Sequence, residues 1–359
     1  MSAAASNLID APGKVRDENA FDPEVLRPLL KAKILDLPDS PIALHQFAGG
    51  ASNITYQLDI GDRQLILRRP PAGTKAKSAH DMGREFRVMQ HLSPHFPCPR
   101  PLLYCEDESL IGSTFYVMEK LSGVILRRDL PKTLSYAPEQ ARQLCLNLFD
   151  TLIQLHTLDY DKAGLGDLGK PAGYVERQVE GWCQRFEKAW TDDVPKCESL
   201  MAWIKAHRPV DSPRPALIHN DYRFDNVVLT PEGEPRIVGV LDWEMATIGD
   251  PLMDLGNALA YWVQADDDPI MQRIRMQPSH LPGMLTRDQI VAHYAEKTGQ
   301  EIGDYSFYYV FGLFRLAVIA QQIYYRFKMG QTSNPKFQAF GIFVTVLSQV
   351  ADKAIAKRG

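Results

Sequence analysis

Apolar and polar positions fall into two kinds of run along this 359-residue chain. Near the start, Asp22 followed by Pro23 supplies a helix cap and a first-turn proline. Val25, Leu26, Leu29 and Leu30 then repeat at helical spacing, which predicts a helix over residues 22–35. Short strand-like runs follow over residues 41–48, 53–60 and 64–68. Gly49-Gly50 separates the first pair and Gly61-Asp62, a turn signal, the second, so an antiparallel meander is predicted. Residues 81–91 read as helix, carrying Glu85, and residues 114–119 return to strand through Phe115, Tyr116 and Val117.

Past Leu121-Ser122-Gly123 the period changes. Ala141, Leu144, Leu148, Leu152 and Leu155 predict a helix over residues 138–158, with further helices over 174–190 and 198–206. Helix gives way once, where residues 216–219, 226–229 and 236–241 read as short strands bracketing polar loops. It resumes over 251–261, after a capping box at Thr286 and Gln289, and in two long segments through residue 325 and toward residue 355. No repeat period stands out. The pattern predicts an α+β chain: a polar lead-in over residues 1–20, a small β-rich N-terminal lobe over 21–119, a hinge at 120–123 and a larger helical C-terminal lobe over 124–359. Ligands favour such an interface between lobes.

Composition narrows the function classes. Hydrophobic residues make up 45% and charged residues 23%, enough for a sizeable core and against disorder. Forty basic against forty-four acidic side chains give a net charge of −4, which removes any global attraction to nucleic acid or anionic membrane. Phosphate binding must therefore be local. Five cysteines without a CxxC pair fit free thiols in a reducing cytosol, and a cytoplasmic location is expected. The first twenty residues lack the apolar core of a signal peptide. The apolar run over residues 307–325 is broken by Arg315, Gln321 and Gln322, so it reads as a buried helix rather than a membrane span. Its aromatic residues, among them Tyr308, Phe311 and Phe314, read as core, with pocket lining as the alternative.

The sharpest chemistry lies in His219-Asn220-Asp221-Tyr222-Arg223-Phe224-Asp225-Asn226, followed by Asp242-Trp243-Glu244 at a strand end. Phosphoryl transfer needs a carboxylate to orient and deprotonate an attacking hydroxyl, and oxygen ligands for a magnesium ion on the nucleotide phosphates. Asp221, Asn226 and Asp242 fit those three roles.

With these residues the chain resembles the aminoglycoside phosphotransferase family, whose protein-kinase-like catalytic loop reads His-x-Asp-x-x-x-x-Asn. The resemblance implies a two-lobed protein-kinase-like fold that uses Mg2+ and ATP, with GTP as an alternative donor. It implies Asp221 as catalytic base, Asn226 and Asp242 as magnesium ligands, and His219 as a support of the loop. Asp254 is implied to brace that loop and Arg223 to meet the transferred phosphate, with a surface salt bridge as the competing role for Arg223. In the N-terminal half, Gly49, Gly50, Ser52 and Asn53 would approach phosphate closely. Arg68 stands where related kinases carry a phosphate-gripping lysine, with Glu85 as its partner. Met118, Glu119 and Leu121 fall where kinases hold adenine through backbone groups. Asn220 replaces the family's glycine, and asparagine is the least costly substitute if φ is positive there. Glu244 reads either as a further metal-shell carboxylate or as a solvent-facing one.

The pattern over residues 40–350 is most similar to the subfamily that occurs alone or fused ahead of acyl-CoA dehydrogenase domains. Its bearers are Gly50-Ala51-Ser52-Asn53, Leu67-Arg68-Arg69-Pro70, Ser78-Ala79-His80, Arg84-Glu85-Phe86-Arg87 and Phe115-Tyr116-Val117-Met118-Glu119. That similarity implies a small-molecule hydroxyl acceptor such as a hydroxyacyl-CoA or hydroxy acid, and a functional link to an acyl-CoA dehydrogenase. Arg127, Arg128, Lys75 and Lys77 are candidates for the anionic groups of such a substrate, with a solvated basic surface as the alternative. An aminoglycoside or amino-alcohol kinase and a nucleotide-binding pseudokinase are the competing functions. Asp266-Asp267-Asp268, the one dense acidic run, reads as an exposed loop at a helix end.

Overall fold

The computed structural model describes residues 11–47, 53–71, 81–332 and 334–357. Asp22 caps the first helical segment by accepting from the Glu24 N–H at 3.0 Å. The segment opens as a 3-10 turn, Pro23–Leu26, and continues as α1, Arg27–Lys33. An antiparallel sheet follows, of β1 (Ile42–Gln46), β2 (Ile54–Ile60), β3 (Arg63–Arg69), β4 (Pro101–Cys105) and β5 (Phe115–Glu119), in the order β1-β2-β3-β5-β4. Helix α2, Met82–Leu92, lies between β3 and β4 in the chain, its first turn capped by the Asp81 carboxylate, which accepts from the Arg84 N–H at 2.9 Å. Strand β4 was not anticipated, because Pro97, Pro99 and Pro101 mask it; an edge strand tolerates a proline at its first residue. Residues 11–20 are more than a lead-in: Gly13 and Gln46 exchange two backbone hydrogen bonds, of 2.8 and 3.0 Å, and the buried Asn19 accepts the Tyr56 hydroxyl at 2.9 Å on its carbonyl.

The two faces of this sheet serve different cores, as the period of two requires. Leu65 and Leu67 of β3, with Tyr56, Leu58, Phe115 and Val117, pack with Leu26 and Leu30 in the core of the N-terminal lobe. Ile66, Tyr116 and Met118, from alternate positions, join Val88 of α2 and residues of the other lobe in a second core. Arg68 shares the alternation of Ile66 and stands at the cleft. Arg69 turns to the other side, where its guanidinium is fully matched by the Tyr56 hydroxyl and the carbonyls of Asn19 and Ile111, at 2.8–3.0 Å.

The C-terminal lobe contains α3 (Pro138–Thr157), α4 (Tyr174–Ala189), α5 (Glu198–Ala206), strands β6 (Ala216–Ile218), β7 (Val227–Leu229), β8 (Ile237–Val240) and β9 (Thr247–Gly249), then α6 (Pro251–Tyr261), α7 (Pro269–Ile274), α8 (Arg287–Thr298), α9 (Ser306–Lys328) and α10 (Phe340–Ala356). β6 pairs with β9 and β7 with β8, both antiparallel. β9 and α7 escape the sequence pattern because three and six residues carry too little periodicity. The Thr286–Gln289 capping box forms as expected, with reciprocal bonds of 3.0 and 3.2 Å. The acidic run is spent on structure: Asp267 holds Arg287 at 2.6 Å, and Asp268 caps α7 and meets Lys353 at 3.0 Å.

Two glycines bring α9 against the helix that follows the polar loops. A Cβ on Gly312 would lie 2.4 Å from the Gly256 carbonyl oxygen, and one on Gly256 would lie 2.3 Å from that of Tyr308. The helices α6 and α9 therefore touch backbone to backbone. Substituting Gly312→Ala is expected to lower unfolding free energy by about 1–3 kcal/mol in urea melts, whereas Gly303→Ala, whose Cβ meets open space, leaves the midpoint unchanged.

Candidate active site

The loop after β6 is built around Asp254, a fully buried carboxylate on α6. Its two oxygens accept the backbone N–H groups of His219, at 2.8 Å, and Asn220, at 2.7 Å. His156 meets the same carboxylate at 3.1 Å and the Tyr294 hydroxyl at 2.8 Å. Burial opposes ionisation of Asp254, yet the hydrogen bond and charge of His156, with His219, hold its carboxyl below the ordinary value. The His219 ring contacts the Leu241 carbonyl through Nε2 at 2.8 Å and the Asp221 N–H through Nδ1 at 3.2 Å. With Nε2 as donor and Nδ1 as acceptor, the ring makes both bonds and ties the loop to the strand end that carries Asp242. Asn220 has φ of 66°, the left-handed conformation for which asparagine was the expected substitute, and its amide donates to the Met245 carbonyl at 3.1 Å.

Asp221 and Asn226 meet directly. The Asn226 Nδ2 donates to the Asp221 carbonyl at 2.8 Å and to its Oδ2 at 2.9 Å, which leaves Oδ1 of the amide unengaged among the described residues. Burial raises the Asp221 carboxyl, but Arg223, Arg315, His219 and the Tyr261 hydroxyl outweigh it and hold it below 3.8. Arg223 is mostly buried. It lies 3.6 Å from Asp221 and 3.2 Å from Asp225, and its guanidinium stacks 4.8 Å from the Tyr261 ring centroid, so its ion pairs are made within the loop. Arg127 sits 4.0 Å from Asp225 and Arg128 3.6 Å from Asp129.

Across the cleft, Arg68 bonds the buried Glu85 carboxylate, the Tyr116 hydroxyl at 3.4 Å and Asp242 Oδ1 at 3.2 Å. Glu85 is thus a partner and no solvated helix charge. Burial works against the charge of Arg68, but Glu85, Tyr116 and Asp242 push its pKa well above the usual arginine value. Burial also pushes the Glu85 carboxyl up, against the pull of Arg68. Asp242 has φ of 67°, a left-handed strain in a non-glycine residue that aims the strand end toward Arg68. Asn53 donates to Glu244 at 3.0 Å, so Glu244 faces the N-terminal lobe rather than solvent alone. Gly49, Gly50 and Ser52, like Lys75, Lys77 and Ser78-Ala79-His80, lie outside the described residues. In the hinge, Met118 is buried, Glu119 donates its N–H to the Arg100 carbonyl at 3.0 Å, and the N–H of Leu121 has no partner among the described residues.

The oxygen donors present fit a magnesium ion. Asp242, about a third exposed, offers a carboxylate and Asn226 an amide oxygen. Among the described residues no cluster of three His, Cys, Asp or Glu side chains could hold a metal alone. Magnesium in phosphoryl transfer needs only one or two protein oxygens, the phosphates supplying others. A cavity of about 510 Å3, lined by Lys33, Arg63, Leu65, Arg100, Glu119 and Lys120, opens on the Leu65 side of β3, the face opposite Arg68. We place the chemistry at the convergent polar groups instead.

Residues 43–286 match the family model described as the phosphotransferase enzyme family. The chain belongs to that family. Acyl-CoA dehydrogenase family member 10 of Mus musculus is 34% identical over 348 residues, 96% of this chain, although the chain spans only 32% of that relative's own length. A Ralstonia eutropha protein classed with the aminoglycoside phosphotransferases shares 31% identity and superposes with a TM-score of 0.80, covering 94% of this chain and 99% of the other. Hygromycin-B 4-O-kinase of Escherichia coli is 25% identical over 251 residues, 67% of this chain and 68% of its own. The family fold is the protein-kinase-like one that the catalytic-loop pattern implied, and the family membership marks a kinase-type enzyme.

Several residues of the site carried no motif. Arg84, quoted only as part of a pattern, ties α2 to the other lobe by donating to the Leu168 and Ala246 carbonyls at 2.8 Å. His156, Tyr294 and Asn257 support the loop from helices read only as amphipathic. Asp254 itself supplies the test. Its native pKa lies below the unfolded value of about 3.9, so its stabilising contribution is complete above that value and fades as pH falls through the native one. Asp254→Asn, which sets an amide N–H against one of two backbone donors, is expected to cost about 3 kcal/mol at pH 7. Urea midpoints of the two proteins should converge as pH drops below about 4.

Proposed function

We propose that this chain transfers the terminal phosphoryl group of ATP, with GTP as a second donor, to a hydroxyl of a small acyl metabolite, a hydroxyacyl-CoA or hydroxy acid. What carries the reading is the junction of Asp221 and Asn226 in one braced loop, with Asp242 meeting the Arg68–Glu85 pair from across the cleft. Asp221, ionised and held by Asn226, accepts a hydrogen bond from the acceptor hydroxyl and takes its proton as the oxygen attacks phosphorus. The bond between the terminal phosphorus and the bridging oxygen breaks, and the nucleoside diphosphate leaves with that electron pair. Arg68, fixed as a cation by Glu85, presents its guanidinium to the donor phosphates, and the backbone N–H of Leu121 is available to the base. Asn226 and Asp242 would hold magnesium, which neutralises phosphate charge when bound.

The acyl preference draws on the names of the relatives, which place such a segment in acyl-CoA dehydrogenase family proteins. A functional link to an acyl-CoA dehydrogenase follows from the same source. An aminoglycoside acceptor finds less support, since Asp267 and Asp268 are occupied by Arg287 and Lys353. The reading is tested by magnesium-dependent nucleotide consumption with hydroxyacyl-CoAs, hydroxy acids, amino alcohols and aminoglycosides. Asp221→Asn should lower turnover by about 10²- to 10⁴-fold while nucleotide affinity stays unchanged. Wild-type consumption no higher than that of the variant on every acceptor would leave a pseudokinase.

A further inference from the structure

Among the described residues, the buried and largely buried arginines each meet an oxygen acceptor, with one exception. Arg69 is saturated by three oxygens and Arg287 is bidentate to Asp267. Arg223 and Arg275 each have a buried Nε without a hydrogen-bond partner but face a carboxylate. Arg315, on α9 and 2% exposed, has no carboxylate within ion-pair distance among the described residues. Its Nη1 is buried without a hydrogen-bond partner among the described residues, and its Nη2 meets only the Met245 sulfur at 3.4 Å. The guanidinium lies 5.0 Å from the Trp182 ring centroid, with Arg185 4.7 Å from the centroid of the same ring. A buried cation with an unmade hydrogen bond destabilises a fold, and its persistence calls for a partner.

Its place says which partner. The backbone contact of α6 and α9 at Gly256 and Gly312 sets Arg315 beside Met245, whose carbonyl accepts the amide of Asn220, the residue before Asp221. The atom covering it is the thioether of Met245, at the end of the 3-10 turn that begins beside Asp242, and this side chain is 38% exposed. A thioether is a weak acceptor on a flexible, unbranched chain, easily exchanged for an oxygen. We propose that Arg315 anchors the acceptor by taking the acyl oxygen, carboxylate or thioester carbonyl, of a substrate whose hydroxyl lies at Asp221. The inference rests on the phosphotransferase reading and deepens it: Met245 moves aside, Arg315 gains charge-assisted hydrogen bonds, and polycationic acceptors are disfavoured by Arg315 and Arg185 together.

The test uses 3-hydroxybutyrate, 4-hydroxybutyrate, their CoA thioesters and choline as acceptors, with Arg315→Met, Arg315→Lys and Met245→Glu. The last places a competing carboxylate over the guanidinium without touching α9. Arg315→Met and Met245→Glu should raise the KM for acyl acceptors about 10- to 100-fold, with the KM for nucleotide little changed, and Arg315→Lys should recover part of the loss. An effect confined to the free acids identifies the carboxylate, and one confined to the thioesters the carbonyl. Unchanged acyl KM in Arg315→Met overturns the proposal, as does its persistence in Met245→Glu should the first variant not melt cooperatively. Turnover of choline without turnover of any acyl acceptor also overturns it and leaves the phosphotransferase reading standing. If no acceptor is turned over, that reading falls. Calorimetric titration with 3-hydroxybutyrate and 3-hydroxybutyryl-CoA then decides the anchor: binding weakened in both variants supports it, and absent or equal binding refutes it.

Discussion

One buried carboxylate carries the geometry of the reacting loop. Asp254 offers each oxygen to a backbone N–H, of His219 and Asn220, and so fixes two consecutive peptide units before Asp221 begins. His156 and Tyr294 complete its surroundings, and the hydrogen bond and charge of His156, with His219, hold its carboxyl below the ordinary value against the effect of burial. Asn220 can hold a positive φ because its backbone is pinned and its side chain is bonded on both ends, by Tyr174 and Asn257 at its oxygen and to Met245 at its nitrogen. The direction of Asp221, the reach of Asn226 and the anchoring of His219 to the Leu241 carbonyl all follow. Removing that one charge would disturb residues on four separate elements.

The two lobes are coupled by more than the hinge. One core takes Ile66, Val88, Tyr116 and Met118 from the N-terminal side and Leu148, Val227, Val240 and Trp243 from the other. Polar ties cross at its edge: Arg68 to Asp242, Asn53 to Glu244, and Arg84 to two carbonyls of the larger lobe. Helix α2 serves the core and all of these ties but the one from Asn53. Its inner face packs, its Glu85 fixes Arg68, and its Arg84 fixes its own position against Leu168 and Ala246. Arg68 is therefore a cation set in place at the cleft by a buried carboxylate.

Much of this was legible in the sequence, and the limits have physical causes. The strands and long helices were readable from their periods, and the loop from Asp221 and Asn226 at a fixed spacing. Local chemistry also sufficed for Asn220, since few residues accept a left-handed backbone. Beyond the proline-masked β4 and the short α7, the misses share one property: their meaning depends on residues distant in the chain. β9 exists because β6 lies beside it, and Arg84 acts on carbonyls 84 and 162 positions away. Arg315 was visible only as an interruption of an apolar run. A charge inside such a run was itself the signal, although nothing local said which loop it faced.

Arg68 and Arg69 are neighbours of the same type with opposite fates. One guanidinium is saturated by carbonyl and hydroxyl oxygens in the floor of the sheet; the other is held by carboxylates at the cleft. Nothing but the parity of the strand distinguishes them. A slip of β3 by one residue would exchange the two, sealing the reactive cation in the floor and leaving its structural twin at the opening. The pairing of Thr55 with Arg68 and of Arg68 with Tyr116 is therefore information as much as architecture: the register of hydrogen bonds along β3 selects which positive charge faces the cleft.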